Sequence, residues 1–120
     1  MTTQTDSSTP LVDRYINTWN ETDAMKRAEL IRTAFADEAT YRDPLLAGDG
    51  QEGIDAMIRA VHERFPGHVF TRSGPVDRFA NHLRFSWALA TPAGETIVRG
   101  TDFATLDGDE RFVKVTGFLD

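Results

Sequence analysis

The hydrophobic pattern of this chain changes its period at Gly67, and that change constrains the fold more than any other feature. Before Gly67, apolar residues recur every three or four positions, as they do along one face of an α-helix. After Gly67, apolar and polar residues alternate, as they do along a β-strand. Helical segments followed by a run of strands are typical of the α+β class.

Three helices are predicted before the change of period. Thr9 is placed as the N-cap of the first helix and Pro10 at its first position, Asp23 caps the second helix, and Pro66-Gly67 ends the third. Residues 1–9 are therefore expected to be a flexible tail, and residues 10–120 a single domain. The apolar faces consist of Leu11, Val12, Tyr15, Ile16 and Trp19 in the first helix, Met25, Ala28, Ile31 and Phe35 in the second, and Ile54, Met57, Ile58, Val61 and Phe65 in the third.

The strands are expected to form one curved antiparallel sheet. A short strand from Ala39 to Asp43 is stopped by Pro44, which cannot donate to a ladder, and residues 47–53 are predicted to be a loop. The later strands are predicted over His68–Ser73, Val76–Ala80, His82–Thr91, Glu95–Leu106 and Arg111–Leu119. To cover the apolar faces of three helices, such a sheet must curl around them into a cone-shaped α+β barrel with space for a small hydrophobic molecule.

Composition excludes several classes of function. The 19 acidic and 13 basic residues give a formal net charge of −6, which disfavours nucleic acid and membrane surfaces as partners. The chain has no cysteine, which excludes thiolate catalysis and Cys-based metal sites. Without a signal-peptide pattern or a long apolar run, a cytoplasmic location is expected.

Neither a cofactor nor a metal is predicted. Residues 48–53 match the pattern G-x-G-x-x-G, but Asp49 and Glu52 would place carboxylates where a dinucleotide carries its pyrophosphate. His62, His68 and His82 are too scattered to predict a metal site.

Three polar side chains fall at positions whose neighbours are apolar. Tyr15 lies within the apolar face of the first helix, Asp43 ends the short strand, and Asp102 is the one carboxyl on an otherwise apolar strand face. A buried, unpaired carboxyl group is expected to keep its proton at neutral pH and to donate a hydrogen bond. Other interpretations stay open: Tyr15 as a structural bridge, Asp43 as a turn cap, and Asp102 paired with an arginine, Arg84 or Arg99.

At these positions the sequence resembles ketosteroid isomerase and the wider SnoaL-like, nuclear transport factor two-like superfamily. The resemblance runs from about Pro10 to the C-terminus and rests on Tyr15, the Tyr41-Arg42-Asp43-Pro44 run and the Thr101-Asp102-Phe103 strand. It implies a cystatin-like α+β barrel, a homodimer, Tyr15 and Asp102 as oxyanion-hole donors, and Asp43 as the base that moves the proton.

The leading hypothesis is thus a cofactor-independent enzyme that moves a proton α to a carbonyl of a small apolar, steroid- or polyketide-like substrate. Two alternatives use the same fold: a polyketide cyclase, dehydratase or epoxide hydrolase, and a non-catalytic module that binds a hydrophobic ligand or dimerises. The aromatic residues expected to line the pocket are Trp19, Tyr41, Phe65 and Trp87.

Overall fold

The computed structural model describes residues 4–120, with side chains described from Ser8 onward. Three helices and six strands follow one another along this part of the chain, which confirms the α+β class. They are α1 (Gln4–Asn20), α2 (Ala24–Ala34), β1 (Phe35–Arg42), β2 (Ala47–Asp49), α3 (Gly50–Arg64), β3 (Val69–Phe79), β4 (His82–Ala90), β5 (Thr96–Leu106) and β6 (Phe112–Leu119).

The six strands form a single curved sheet in the order β2-β1-β6-β5-β4-β3. The predicted curved sheet with three helices is confirmed, but not all of its pairings are antiparallel. Strand β1 runs parallel to β6, because the chain enters the sheet from the helical hairpin of α1 and α2 and places β1 beside the last strand. Strands β2 and β3 are edges, so the sheet stays open and does not close into a barrel.

The first helix begins earlier than its capping pattern indicates. It starts at Gln4 and contains Pro10 in its interior, so the start predicted at Pro10 is wrong and residues 4–9 of the expected tail are helical. A proline at this position removes one backbone hydrogen bond from the helix, and its side chain faces solvent. Residues 1–3 of the predicted tail lie outside the described residues.

The second helix buries only part of the face predicted for it: Ile31 and Phe35 are buried, as predicted, but Met25 is not. Met25 is 84% exposed, whereas Arg27 is 2% exposed. The Arg27 guanidinium donates to Asp55 on α3 at 2.7 Å and to the Glu21 carbonyl at 3.0 Å, so it ties the hairpin to α3. A charged side chain can take a buried position when both its charge and its donors are matched in this way.

The strands are more continuous than the turn residues suggest. Strand β1 starts at Phe35, and the segment from Ala47 to Asp49, predicted as part of a loop, is the short strand β2. Gly74-Pro75, predicted to separate two strands, instead lies within an irregularity between Ser73 and Asp77 of β3. A bulge admits the proline without ending the strand.

Aromatic packing holds α1 against the concave face of the sheet. The Tyr15 ring stacks on Phe112 of β6 at 4.8 Å between centroids and meets Phe85 of β4 edge-on at 5.3 Å. One turn later, Trp19 packs edge-on against Tyr41 and Phe70 at 5.4 Å. The inner face of α1 thus lies directly over the middle strands. No helix within residues 4–120 is both long and apolar enough to cross a membrane.

Candidate active site

A cavity of about 440 Å³ lies between the helices and the concave face of the sheet. It is lined by the three side chains predicted to carry chemistry, Tyr15, Asp43 and Asp102, although they lie far apart in the sequence. All four aromatic residues expected at a pocket also line it: Trp19, Tyr41, Phe65 and Trp87.

Asp102 is the most deeply buried carboxyl group in this cavity. It lies in the middle of β5 and is 2% exposed, on the face that also carries the buried Ala104 and Leu106. Its Oδ2 accepts a hydrogen bond from the Tyr15 hydroxyl at 2.9 Å, and its Oδ1 accepts one from the Trp87 indole N–H at 3.0 Å. Asp102 is therefore held by two neutral donors.

The arginine pairing left open for Asp102 is absent from the described residues. Arg84 binds Asp77 on the outer face of the sheet, with Nη2 to Oδ2 at 2.6 Å. Arg99 is exposed on the opposite face of β5 from Asp102. No guanidinium among residues 8–120 thus neutralises the buried carboxyl.

Burial raises the pKa of Asp102 from 3.8 to about 6. The hydrogen bonds from Trp87 and Tyr15 favour the charged form and limit the rise, while the nearby charge of Asp43 adds to it. The pKa of Asp102 is thus raised in the direction expected from the sequence, but about 6 lies below neutrality, so the ionised form predominates at pH 7. The sequence did not indicate the two donors that stabilise this charge.

The two tyrosine hydroxyl groups are poor acids in this environment. Desolvation is the main cause of the raised pKa of Tyr15, and the negative charge of Asp102 adds to it. The pKa of Tyr41 is raised for the same reasons, burial first and then the charge of Asp102. Both phenols therefore stay protonated at neutral pH and act as hydrogen-bond donors.

Asp43 has a different set of partners. It follows the last residue of β1 and is half-buried. Its Oδ1 accepts from the backbone N–H groups of Leu45 and Leu46, both at 2.7 Å, and its Oδ2 accepts from the Tyr41 hydroxyl at 2.7 Å. Asp43 thus caps the turn after β1, as one interpretation held, and still presents its carboxylate to the cavity.

Gly117 lets the two acidic groups approach each other. It pairs with Asp102 across β5 and β6, and a Cβ placed on it would lie 2.7 Å from Asp102 Oδ1, 3.2 Å from Asp43 Cβ and 3.2 Å from the Tyr41 hydroxyl. Any larger residue here would push these groups apart. Gly117 is therefore part of the site, although it carries no functional group.

Gly100 has a similar role beneath Trp87. The two residues pair across β4 and β5, and a Cβ on Gly100 would overlap the indole ring. Because Gly100 has no side chain, the indole packs directly against β5 and its N–H reaches Asp102. The signal for both glycines was present in the sequence, because glycine inside a strand indicates a close approach.

Two further kinds of site were considered from the sequence: a metal site, and a dinucleotide site at the glycine-rich segment, residues 48–53. Across the described residues, no three His, Asp or Glu side chains are grouped so that they could hold a metal ion. Gly48 and Gly53 of the glycine-rich segment pack against each other, since a Cβ on Gly48 would meet the Gly53 carbonyl at 3.0 Å. The glycines there serve the contact between β2 and α3.

Solved structures of known proteins resemble this chain over nearly its whole length. A protein from Agrobacterium tumefaciens, named as a candidate isomerase of the SnoaL-like family, is 41% identical, with a TM-score of 0.89 over 92% of this chain and 95% of that chain. An NTF2-like protein of unknown function from Exiguobacterium sp. 255-15 is 22% identical, with a TM-score of 0.72 over 92% of this chain and 98% of its own.

A further structural neighbour is named as a candidate SnoaL-like polyketide cyclase, from Jannaschia sp. CCS1. It is 16% identical, with a TM-score of 0.69 over 93% of this chain and 86% of that one. At such identities the likeness extends to the fold alone. No family model matches the sequence, and no curated protein matches it.

Proposed function

Since this chain belongs to the SnoaL-like family, we propose that it is an enzyme that moves a proton α to a carbonyl group of a small apolar ketone. The observation that carries the proposal is the meeting of a half-buried carboxylate, Asp43, with the buried Tyr15–Asp102 pair in one largely apolar cavity. Its volume of about 440 Å³ is within the ordinary range for small-molecule sites.

In the proposed reaction, Asp43 acts as the base. Its carboxylate takes the acidic α-proton of the ketone, the C–H electron pair moves into a new C=C bond, and the carbonyl oxygen becomes an enolate. In a β,γ-unsaturated ketone, Asp43 then returns the proton to the γ-carbon, which gives the conjugated isomer. The Tyr41 hydroxyl and the N–H groups of Leu45 and Leu46 hold the carboxylate in place throughout.

Tyr15 and Asp102 stabilise the enolate oxygen. Both can donate to it only when Asp102 is protonated, because ionised Asp102 accepts the Tyr15 proton instead. With a pKa of about 6 for Asp102, the donating form is the minority in the free protein at pH 7. We therefore expect kcat/KM to fall as the pH rises through about 6.

The test is turnover of a β,γ-unsaturated ketosteroid, followed by the absorbance of the conjugated product. Asp43→Asn keeps an oxygen that accepts from Leu45 and Leu46 but loses the base, so we expect about a 100-fold or larger drop in kcat. Asp37→Asn is the matched control, since Asp37 is an exposed residue of β1, the strand that Asp43 follows, and does not line the cavity. A wild-type protein no faster than Asp43→Asn would exclude this reaction.

A cyclase is the second candidate. In that case Asp43 again removes a proton, while protonated Asp102 acts as the general acid toward a carbonyl oxygen. An acid with a pKa of about 6 suits this role, because it gives up its proton near neutral pH. Activity on a polyketide together with none on steroids would favour the cyclase.

Several sequence-based expectations stay predictions. One is a homodimer in which a partner covers part of the outer face of the sheet, where Phe103 and Phe118 are 43% and 55% exposed. The others are the cytoplasmic location and the absence of a cofactor, a nucleic-acid partner and a membrane partner. If Tyr15, Asp43 and Asp102 can be replaced together without loss of ligand affinity, the protein is a binding module.

A further inference from the structure

The acceptor groups of the cavity are already bound to protein donors. Asp102 accepts two hydrogen bonds, from Tyr15 and Trp87, and Asp43 accepts one from Tyr41 in addition to two from the backbone. The donors that serve these carboxylates are engaged by the same bonds. What the cavity wall can still offer a ligand depends on its remaining polar groups.

The indole N–H of Trp19 is not open to a ligand, although Trp19 lines the cavity. Its Nε1 has almost no accessible surface and lies beside the Tyr15 hydroxyl. A ligand oxygen in the cavity therefore cannot reach this N–H.

The donor that stays open to a ligand is Arg64, in the last turn of α3. Its side chain lines the cavity and is exposed, and it has no ion pair or hydrogen bond within residues 8–120. Arg72 and Arg84, in contrast, each bind an aspartate on the surface. Leu45, 79% exposed, also lines the cavity, so its open end combines a cation with an apolar surface.

We propose that the cavity binds an apolar carboxylate, whose carboxylate group pairs with Arg64 at the open end and whose apolar body lies in the cavity. A guanidinium binds a carboxylate through two parallel N–H···O bonds, which selects an acid over a neutral ester of the same shape. The acidic residues of the cavity do not compete for Arg64, since their oxygens accept from other donors. The inference concerns the ligand class and does not depend on the proposed reaction.

The test compares 6-hydroxy-2-naphthoic acid with its methyl ester by isothermal titration calorimetry. These probes share a flat apolar body and a hydroxyl group, and they differ in the charge at one end. We expect the wild-type protein to bind the acid about fivefold more tightly than the ester. Arg64→Gln should remove that preference, and high salt should weaken it.

Arg59→Gln is the matched control. Arg59 lies on the same helix, is exposed and has no partner in the described part of the chain, but it does not line the cavity. It should keep the preference for the acid. Equal affinities of the wild-type protein for the two probes, no measurable binding of either, or an equal loss in both arginine variants would overturn the proposal.

These binding results are independent of turnover. If the neutral ketosteroid is not converted but the acid preference follows Arg64, the proposed reaction fails and the ligand class stands. If the ketosteroid is converted but no acid preference exists, the ligand class fails alone.

Discussion

Two carboxyl groups share one cavity, yet the fold gives them contrasting environments. Asp102 lies in the middle of a strand, 2% exposed, and its hydrogen bonds come from the side chains of Tyr15 and Trp87. Asp43 lies just beyond the end of a strand, half-buried, and two of its three hydrogen bonds come from backbone N–H groups.

The difference shows how position along a strand decides what a carboxyl group can do. Backbone N–H groups are free where a strand ends, so Asp43 can cap a turn and keep an acceptor site toward the cavity. In the middle of a strand, the backbone N–H groups already donate to the neighbouring strands and are not free to bind a carboxylate. Burial is therefore the main influence on Asp102, and it raises the pKa of this group to about 6. A carboxylate base and a second carboxyl group with a raised pKa can therefore coexist in one cavity.

The largest expected effect is on the pH dependence of stability. The folded-state pKa of Asp102 is raised from 3.8 to about 6, so this group destabilises the fold progressively as the pH rises through that interval, by about 3 kcal/mol in total. Asp102→Asn cannot ionise. Its free energy of unfolding, relative to the wild-type protein, should rise by about 3 kcal/mol between pH 3 and pH 8.

Urea denaturation at a series of pH values measures this difference. The other carboxyl groups are the same in both proteins, so their titration largely cancels. A difference between the two proteins that is the same at every pH would show that burial does not raise the pKa of Asp102.

A smaller effect on stability is expected at Gly117, which lies between Asp102 and Asp43. Gly117→Ala places a methyl group 2.7 Å from Asp102 Oδ1, the oxygen that accepts from Trp87. That oxygen cannot move without losing its hydrogen bond, so we expect a loss of about 2 kcal/mol in the free energy of unfolding. Gly108→Ala is the control, because a Cβ there meets nothing within 4 Å. Equal stabilities of the two variants would mean that the site is looser than its distances indicate.

The smallest effect concerns the two tyrosines. Tyr41→Phe should cost about 1 kcal/mol, because Asp43 keeps its two backbone donors. Tyr15→Phe should cost more, because Asp102 is then left with Trp87 alone in a buried site, and its pKa should rise further. Chemical denaturation of both variants at pH 7 gives their free energies of unfolding, and we expect the lower value for Tyr15→Phe. The reverse order would indicate that Asp102 is the better solvated of the two carboxyl groups.

Periodicity predicted most of the fold, since it records which face of each element is buried. It placed three helices before a run of strands and put Asp102 on the buried face of β5, as the structure has it. Local sequence rules failed at prolines, because such rules place a proline at the start of a helix or between two strands. Pro10 lies inside a helix, and the Gly74-Pro75 step lies inside a bulged strand.

Pairings between distant segments could not be read from local patterns. The parallel pairing of β1 with β6 depends on where the helical hairpin delivers the chain. The residues predicted for the site do line one cavity, but the donors that Trp87 and Tyr41 supply to the two acids could not be predicted. Those contacts require strand register, which sets Trp87 opposite Gly100 and Asp102 opposite Gly117.

The most direct test of the central contrast is the titration of the Asp102 carboxyl carbon by ¹³C NMR, with Asp102→Asn used to assign the resonance. The account predicts a midpoint near 6, shifted upward in Trp87→Phe because the variant lacks a donor that favours the charged form. A midpoint near 4, the ordinary value for an aspartic acid, would contradict it.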